Sequence, residues 1–152
     1  MAKVVSSNIK QYTFAVGRRR EAVARVRLYN PSGSKVQING VEFKKGDIQV
    51  NGKEVNEYFR FSAYGPRYNK FLVDTNALGN YVFTIKVAGG GLSGQLDAAI
   101  LGMARTLDKV DREKYHKILR EKGYLTRDPR TRERRKVGMG GKARRKKQSP
   151  KR

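Results

Sequence analysis

The chain has no cysteine, no tryptophan, a single histidine and only 13 acidic side chains in 152 residues. Without cysteine there can be no disulfide, no thiolate zinc site and no cysteine nucleophile. One histidine, His116, leaves no imidazole cluster for a metal and nearly excludes Ser-His-Asp chemistry. No apolar run approaches the ~20 residues of a membrane span. The opening stretch, MAKVVSSNIK, lacks the long apolar core of a secretion signal. These absences favour a cytosolic binding protein.

What the chain does have is positive charge. It carries 35 lysines and arginines, a net charge of +22 and a pI near 10.6. A protein this basic repels itself unless a polyanion neutralises it, so nucleic acid is the first partner to consider and an anionic membrane surface the second. The charge is unevenly spread. Residues 127–152 hold 13 basic and two acidic side chains, a net +11, which equals the net charge of residues 1–126. In the final run, RRKVGMGGKARRKKQSPKR, only Val137, Met139 and Ala143 are apolar. Such a composition cannot bury itself and is expected to stay disordered until a partner orders it. The plainer alternative is a solubilising tail. The expected organisation is a globular α+β domain over 1–126 and a basic C-terminal extension over 127–152.

Within the domain, QYTFAV (11–16) and VARVRLY (23–29) alternate like strands around the basic turn GRRRE. Ala24, Val26 and Leu28 share one face of the second strand, and Arg25 and Arg27 the other, so that second face cannot be buried dry. KVQING and DIQVNG each read as a short strand ending in the hairpin dipeptide Asn-Gly. YVFTIKV (81–87) puts Tyr81, Phe83, Ile85 and Val87 on one side and Val82, Thr84 and Lys86 on the other. Two helices are expected late in the chain. Ser93 is a plausible N-cap of the first, with Leu96, Ile100, Met103 and Leu107 on one stripe. Gly94, Ala98 and Gly102 form an adjacent row that something must approach closely. Asp111 is expected to cap the second helix, and Gly123 to close it with Tyr124 folding back on Leu119.

Gly89, Gly91 and Gly94 match the dinucleotide pattern GxGxxG after a strand and before a helix. That motif requires a further parallel strand after the helix, and here a second helix, DREKYHKILREKG, follows. The P-loop spacing fails as well, since Gln95 and Leu96 stand where Lys and Ser/Thr are needed. The glycines are better explained by a sharp turn and a close backbone approach, although the helix start could receive a phosphate. No cofactor, metal or catalytic residue is expected. The carboxylates are scattered, and His116 reads as a surface or RNA-facing side chain without partners nearby in sequence. In EYFRFSAYGPRYNKF (57–71), Phe59, Phe61 and Phe71 are assigned to the core. Tyr64, Arg67 and Tyr68 are the contact candidates.

The arginines carry the specific signal. Three in a row, Arg18, Arg19 and Arg20, sit at a hairpin tip where they cannot all be satisfied internally, and the planar guanidinium fork suits phosphate. With Arg25, Arg27 and the basic extension, the pattern describes a protein that wraps a polyphosphate.

The stretches GRRREAVARVRLYNPSG, VNGKEVNEYF, VAGGGLSGQLDAAILGMARTL, LREKGYLTRDPRTRERRKVG and KARRKKQSPKR resemble, in order, the characteristic blocks of small-subunit ribosomal protein nine, bacterial type. The resemblance covers about residues 12–30, 46–60 and 81–152. It implies a compact α+β domain similar to the second domain of ribosomal protein five. It also implies a structural place in the head of the small ribosomal subunit, with no enzymatic activity, beside neighbouring head proteins and away from any membrane. The extension would thread through ribosomal RNA toward the peptidyl-site tRNA. The expected ribosomal-RNA contacts are Arg18, Arg19, Arg20, Arg25, Arg27, Arg67, Arg127, Arg130, Arg132, Arg134, Arg135, Lys136, Lys142, Arg144, Arg145, Lys146 and Lys147. The tRNA contacts would fall on Lys151 and Arg152.

Some features depart from the family. Residues 35–45 look like an inserted hairpin, expected to point away from RNA because it adds only Lys35, Lys44 and Lys45. Thr106 replaces a smaller residue or leucine, and the extension is one glycine longer and ends QSPKR. From other classes, a free nucleic-acid chaperone or nucleoid-associated protein is the alternative, and a nucleotide-dependent enzyme a distant third.

Overall fold

A computed structural model describes residues 12–31, 35–38 and 40–134. β1 (Tyr12–Arg19) and β2 (Ala22–Tyr29) form an antiparallel hairpin running from Tyr12 opposite Tyr29 to Arg19 opposite Ala22. Its tight turn places Arg20 in the left-handed region, φ 51°. An Asn-Gly hairpin joins β5 (Ile48–Val50) to β6 (Lys53–Glu54), with Asn51 and Gly52 both at positive φ, as such two-residue turns require. β7 (Val82–Ala88) completes a five-stranded sheet in the order β1-β2-β7-β5-β6. The β5–β7 pair is parallel and the others are antiparallel. The inserted hairpin is present as β3 (Lys35–Ile38) and β4 (Val41–Lys44), a separate two-stranded sheet.

The two late helices are α3 (Leu92–Val110) and α4 (Arg112–Glu121), but two shorter ones precede them. α1 (Val55–Tyr58) and α2 (Gly65–Asp74) fill the crossover that a parallel β5–β7 pair demands. Gly65 and Pro66 start α2, because proline is well suited to a first helical turn. α3 is capped by Gly91 rather than Ser93, which lies inside the first turn. Asp111 caps α4 as its sequence suggests, accepting a 3.0 Å hydrogen bond from the Lys114 N–H. α4 closes with Gly123 at φ 74° and the Tyr124 N–H bonded to the Leu119 carbonyl at 2.9 Å.

α3 lies across β1 and β2. The row Gly94-Ala98-Gly102 marks where backbone meets backbone: a Cβ built on Gly17 of β1 would strike the Ala98 carbonyl and reach within 2.5 Å of the Gly102 nitrogen. Between sheet and helices, Leu28, Phe71, Phe83, Leu96, Met103, Leu107, Tyr115 and Leu119 are fully buried. Thr106 is buried as well, and its hydroxyl donates to the Met103 carbonyl at 2.7 Å, which makes the polar replacement tolerable. Two expectations fail here. Phe61 is 71% exposed rather than core, whereas Phe59 and Phe71 are buried. Tyr68 is only 5% exposed, its hydroxyl bonded to Asn56, so it is no contact residue in this fold.

Candidate nucleic-acid interface

The register of β1, β2 and β7 decides which cations act together. On the outer face, Arg25 lies opposite Lys86, and Arg27 lies opposite Phe14 on one side and Thr84 on the other. All three cations are exposed and none makes an ion pair among the described residues. The Arg27 guanidinium sits 4.9 Å from the centroid of the Tyr12 ring, which orients the fork without neutralising it.

At the hairpin tip the three arginines divide. Arg18 and Arg20 are exposed. The Arg19 side chain is only 11% exposed and fully engaged within the chain. It pairs with Asp128 at 2.7 Å, donates to the Arg130 carbonyl at 2.8 Å, and lies 3.8 Å from Asp97. Asp97, on α3, also holds Arg67 of α2. Asp128 turns back on Arg130, accepting from its backbone N–H at 3.0 Å and from its guanidinium. Those Arg130 hydrogen bonds, with the nearby charge of Arg19, hold the Asp128 carboxyl below the usual carboxylate range and push Arg130 up in turn. The first residues of the basic extension are thereby fastened to the hairpin tip. Arg18, Arg67, Lys70 and Arg130 surround the resulting basin of about 460 Å³.

Of the expected contact residues, Arg18, Arg20, Arg25, Arg27, Arg127, Arg132 and Arg134 are exposed. Arg19, Arg67 and Arg130 are committed to carboxylates of the chain, though Arg67 and Arg130 keep much of their surface open. Arg135, Lys136, Lys142, Arg144, Arg145, Lys146, Lys147, Lys151 and Arg152 lie outside the described residues. His116 does have a partner: Nδ1 lies 2.7 Å from Asp108 Oδ1, one helix back across the α3–α4 packing.

The glycine loop serves packing. A Cβ on Gly89 would fall 2.5 Å from the Glu21 carbonyl, and one on Gly90 3.1 Å from Ala22, so the loop lies against the β1–β2 turn. Among the described residues α3 leads to α4, and the parallel strand a dinucleotide fold needs does not follow.

Sequence reasoning missed Tyr12, Phe14 and Tyr29 beside Arg25 and Arg27. The hairpin that carries them was readable, but its register, which sets Tyr12 opposite Tyr29 and Phe14 opposite Arg27, was not. It also missed Asp128 as an anchor, although an aspartate beside a proline in the basic run RDPRTRERR was the available signal.

An α+β domain that displays cations without ion pairs among the described residues on a sheet face and a hairpin tip, and fastens the start of a strongly basic extension beside that tip, has the chemistry of a scaffold protein able to hold a polyanion. Sequence comparison narrows the class. The family described as ribosomal protein S9/S16 matches residues 17–152, and the chain belongs to it. It is 42% identical over 126 residues to the small ribosomal subunit protein uS9 of Thermotoga petrophila, covering 83% of this chain and 86% of that one. It is 41% identical over 127 residues to the protein of the same name from Nostoc punctiforme, covering 83% and 82% respectively. These relatives are structural proteins, and the chain is not an enzyme.

Proposed function

We propose that the chain is a structural constituent of the small ribosomal subunit, working in the cytoplasm. Its domain binds small-subunit ribosomal RNA in the head among neighbouring ribosomal proteins, and its extension reaches the peptidyl-site tRNA. The observation that carries this reading is the family match, which runs through the whole basic extension to residue 152. The exposed, unpaired Arg18, Arg20, Arg25 and Arg27 support phosphate contacts by the domain. The composition of 127–152 supports a segment that takes its shape from RNA. The domain's kinship with the second domain of ribosomal protein five belongs to the same reading.

Sedimentation tests the assignment: the tagged chain should travel with small subunits at low salt, and its absence from that peak would end the proposal. The tRNA contact has its own test. Deleting Lys151 and Arg152 removes two positive side chains and leaves a net +9 on residues 127–150. Assembly should persist while tRNA dissociates faster from the peptidyl site, toward the lower end of the ~1.5–3 kcal/mol of one charged hydrogen bond. Arg152→Lys should restore part of the loss. Equal dissociation from well-assembled subunits would refute the contact.

A further inference from the structure

Aromatic rings and cations alternate on the outer face of the sheet. Tyr12 and Tyr29 face each other across β1 and β2 with ring centroids 5.6 Å apart. Phe14, two residues on, is 61% exposed, although Lys109 sits 5.3 Å from its ring centroid. The hairpin β3–β4 stands opposite as a wall, presenting Ile38, Val41 and Phe43. Between wall and sheet lies a groove of about 520 Å³. None of the described residues lining it is a carboxylate. Its size falls in the ~300–1,000 Å³ range of small-ligand clefts.

Two features of this groove ask for a specific occupant. Arg25 and Lys86 are like charges directly opposite on neighbouring strands, an arrangement that destabilises a sheet unless an anion lies between them. The exposed Phe14 ring and the half-buried Tyr12 and Tyr29 beside them are of no use to a duplex, whose bases are already stacked inside it. An unpaired base can leave its own stack and lie on an aromatic ring.

We propose that the groove receives an unpaired nucleotide of single-stranded RNA. The base stacks on Phe14 and Tyr12, the flanking phosphates lie against Arg25, Arg27 and Lys86, and the inserted hairpin closes over the base. The proposal rests on the chain being an RNA-binding ribosomal protein, and it reverses the expectation that the insertion stands clear of RNA. It gives the insertion a purpose: without β3–β4 the sheet face is an open surface, and with it the face becomes a cleft.

The test uses the full chain, a short single-stranded oligoribonucleotide carrying a fluorescent purine analogue, and a duplex of the same length, at one fixed salt concentration. Phe14→Leu keeps an apolar side chain at an exposed position and removes the ring, so folding is preserved; matching melting curves verify this. The variant should lose roughly tenfold in single-strand affinity, lose the quenching of the stacked purine, and bind duplex as the parent does. Lys86→Gln should weaken both ligands and flatten the salt slope by no more than about one unit. Unchanged single-strand binding by Phe14→Leu, or equal losses for strand and duplex, would overturn the groove assignment. If those variants and the parent still sediment with small subunits, the ribosomal reading survives that failure. If the parent itself does not sediment, both fall.

Discussion

Replacing Gly17 with alanine should be one of the most damaging single-methyl additions this domain can receive. The new Cβ would collide with the Ala98 carbonyl and come within 2.5 Å of the Gly102 nitrogen. Both are backbone atoms of α3, so no side-chain rotation can relieve the clash; strand and helix must separate. Overpacking typically costs ~1–3 kcal/mol, and an immovable obstacle puts this case at the top of that range. At about 4 °C per kcal/mol for a domain of this size, ~3 kcal/mol lowers the melting temperature by ~12 °C, measured by circular dichroism on the full chain. Gly65→Ala is the control: nothing lies within 4 Å of its Cβ, and its stability should stay within ~0.5 kcal/mol of the parent. Gly102→Ala offers a sharper version, because its Cβ would meet the side chain of Val26 at 2.5 Å. Adding Val26→Ala should recover part of that loss, as a coupling of ~0.5–3 kcal/mol in a double-mutant cycle. A Gly17→Ala protein melting within two or three degrees of the parent, on the order of a typical surface substitution, would refute the tight strand–helix contact.

Asp128→Asn should free Arg19 and loosen the root of the extension, so brief trypsin treatment should cut after Arg127 and Arg130 sooner; an unchanged cleavage rate would argue against the anchor. Arg18 and Arg20 changed together to alanine should flatten the salt dependence of RNA binding by at most about two units, while Arg19→Ala should act chiefly on stability, because its guanidinium is already occupied. Asp111→Ala removes the α4 cap and should cost ~1 kcal/mol, read as a lower melting temperature. Burial first, then hydrogen bonds to Tyr115 and Asp74, push the Tyr81 and Tyr124 hydroxyls up to about 12, against ~10 in the unfolded chain. For an acid whose folded pKa is raised, the stabilisation is complete below ~10 and disappears as pH climbs toward about 12. The melting temperature should therefore fall across that window. An ultraviolet titration in which every phenol ionises near ~10 would contradict it.

Local periodicity made most of the sheet legible. Ala24-x-Val26-x-Leu28 and the two Asn-Gly turns needed no knowledge of their neighbours, and Asp111 and Gly123 announced the ends of α4. What failed depended on distant contacts. Phe59, Phe61 and Tyr68 are similar residues in one aromatic stretch, and only the crossover that α1 and α2 make between parallel strands decides which are buried. Ser93 has the side chain of a cap but sits two residues beyond the turn, whose position the packing of Gly89 and Gly90 against the β1–β2 hairpin sets. The site divides similarly. That arginines would stand exposed was readable from composition, but Arg19 could not be told from Arg18 and Arg20 until Asp128, more than a hundred residues away, was seen to reach it.

β7 holds the middle of the sheet, between β2 and β5, and this has a consequence in time. During synthesis the β1–β2 hairpin emerges early, with the β2 edge that β7 will later fill unpaired and its apolar face bare. The strand that pairs with it and the helix that covers it are both made later. At ~5–20 residues per second, the wait from Tyr29 to Ala88 lasts ~3–12 s. Such an edge is a template for aggregation, and the chain already carries a safeguard. Arg25 and Arg27 lie on that same edge strand, and two nascent hairpins meeting side by side would bring like charges together. The arginines left exposed on the finished sheet thus keep unfinished copies apart.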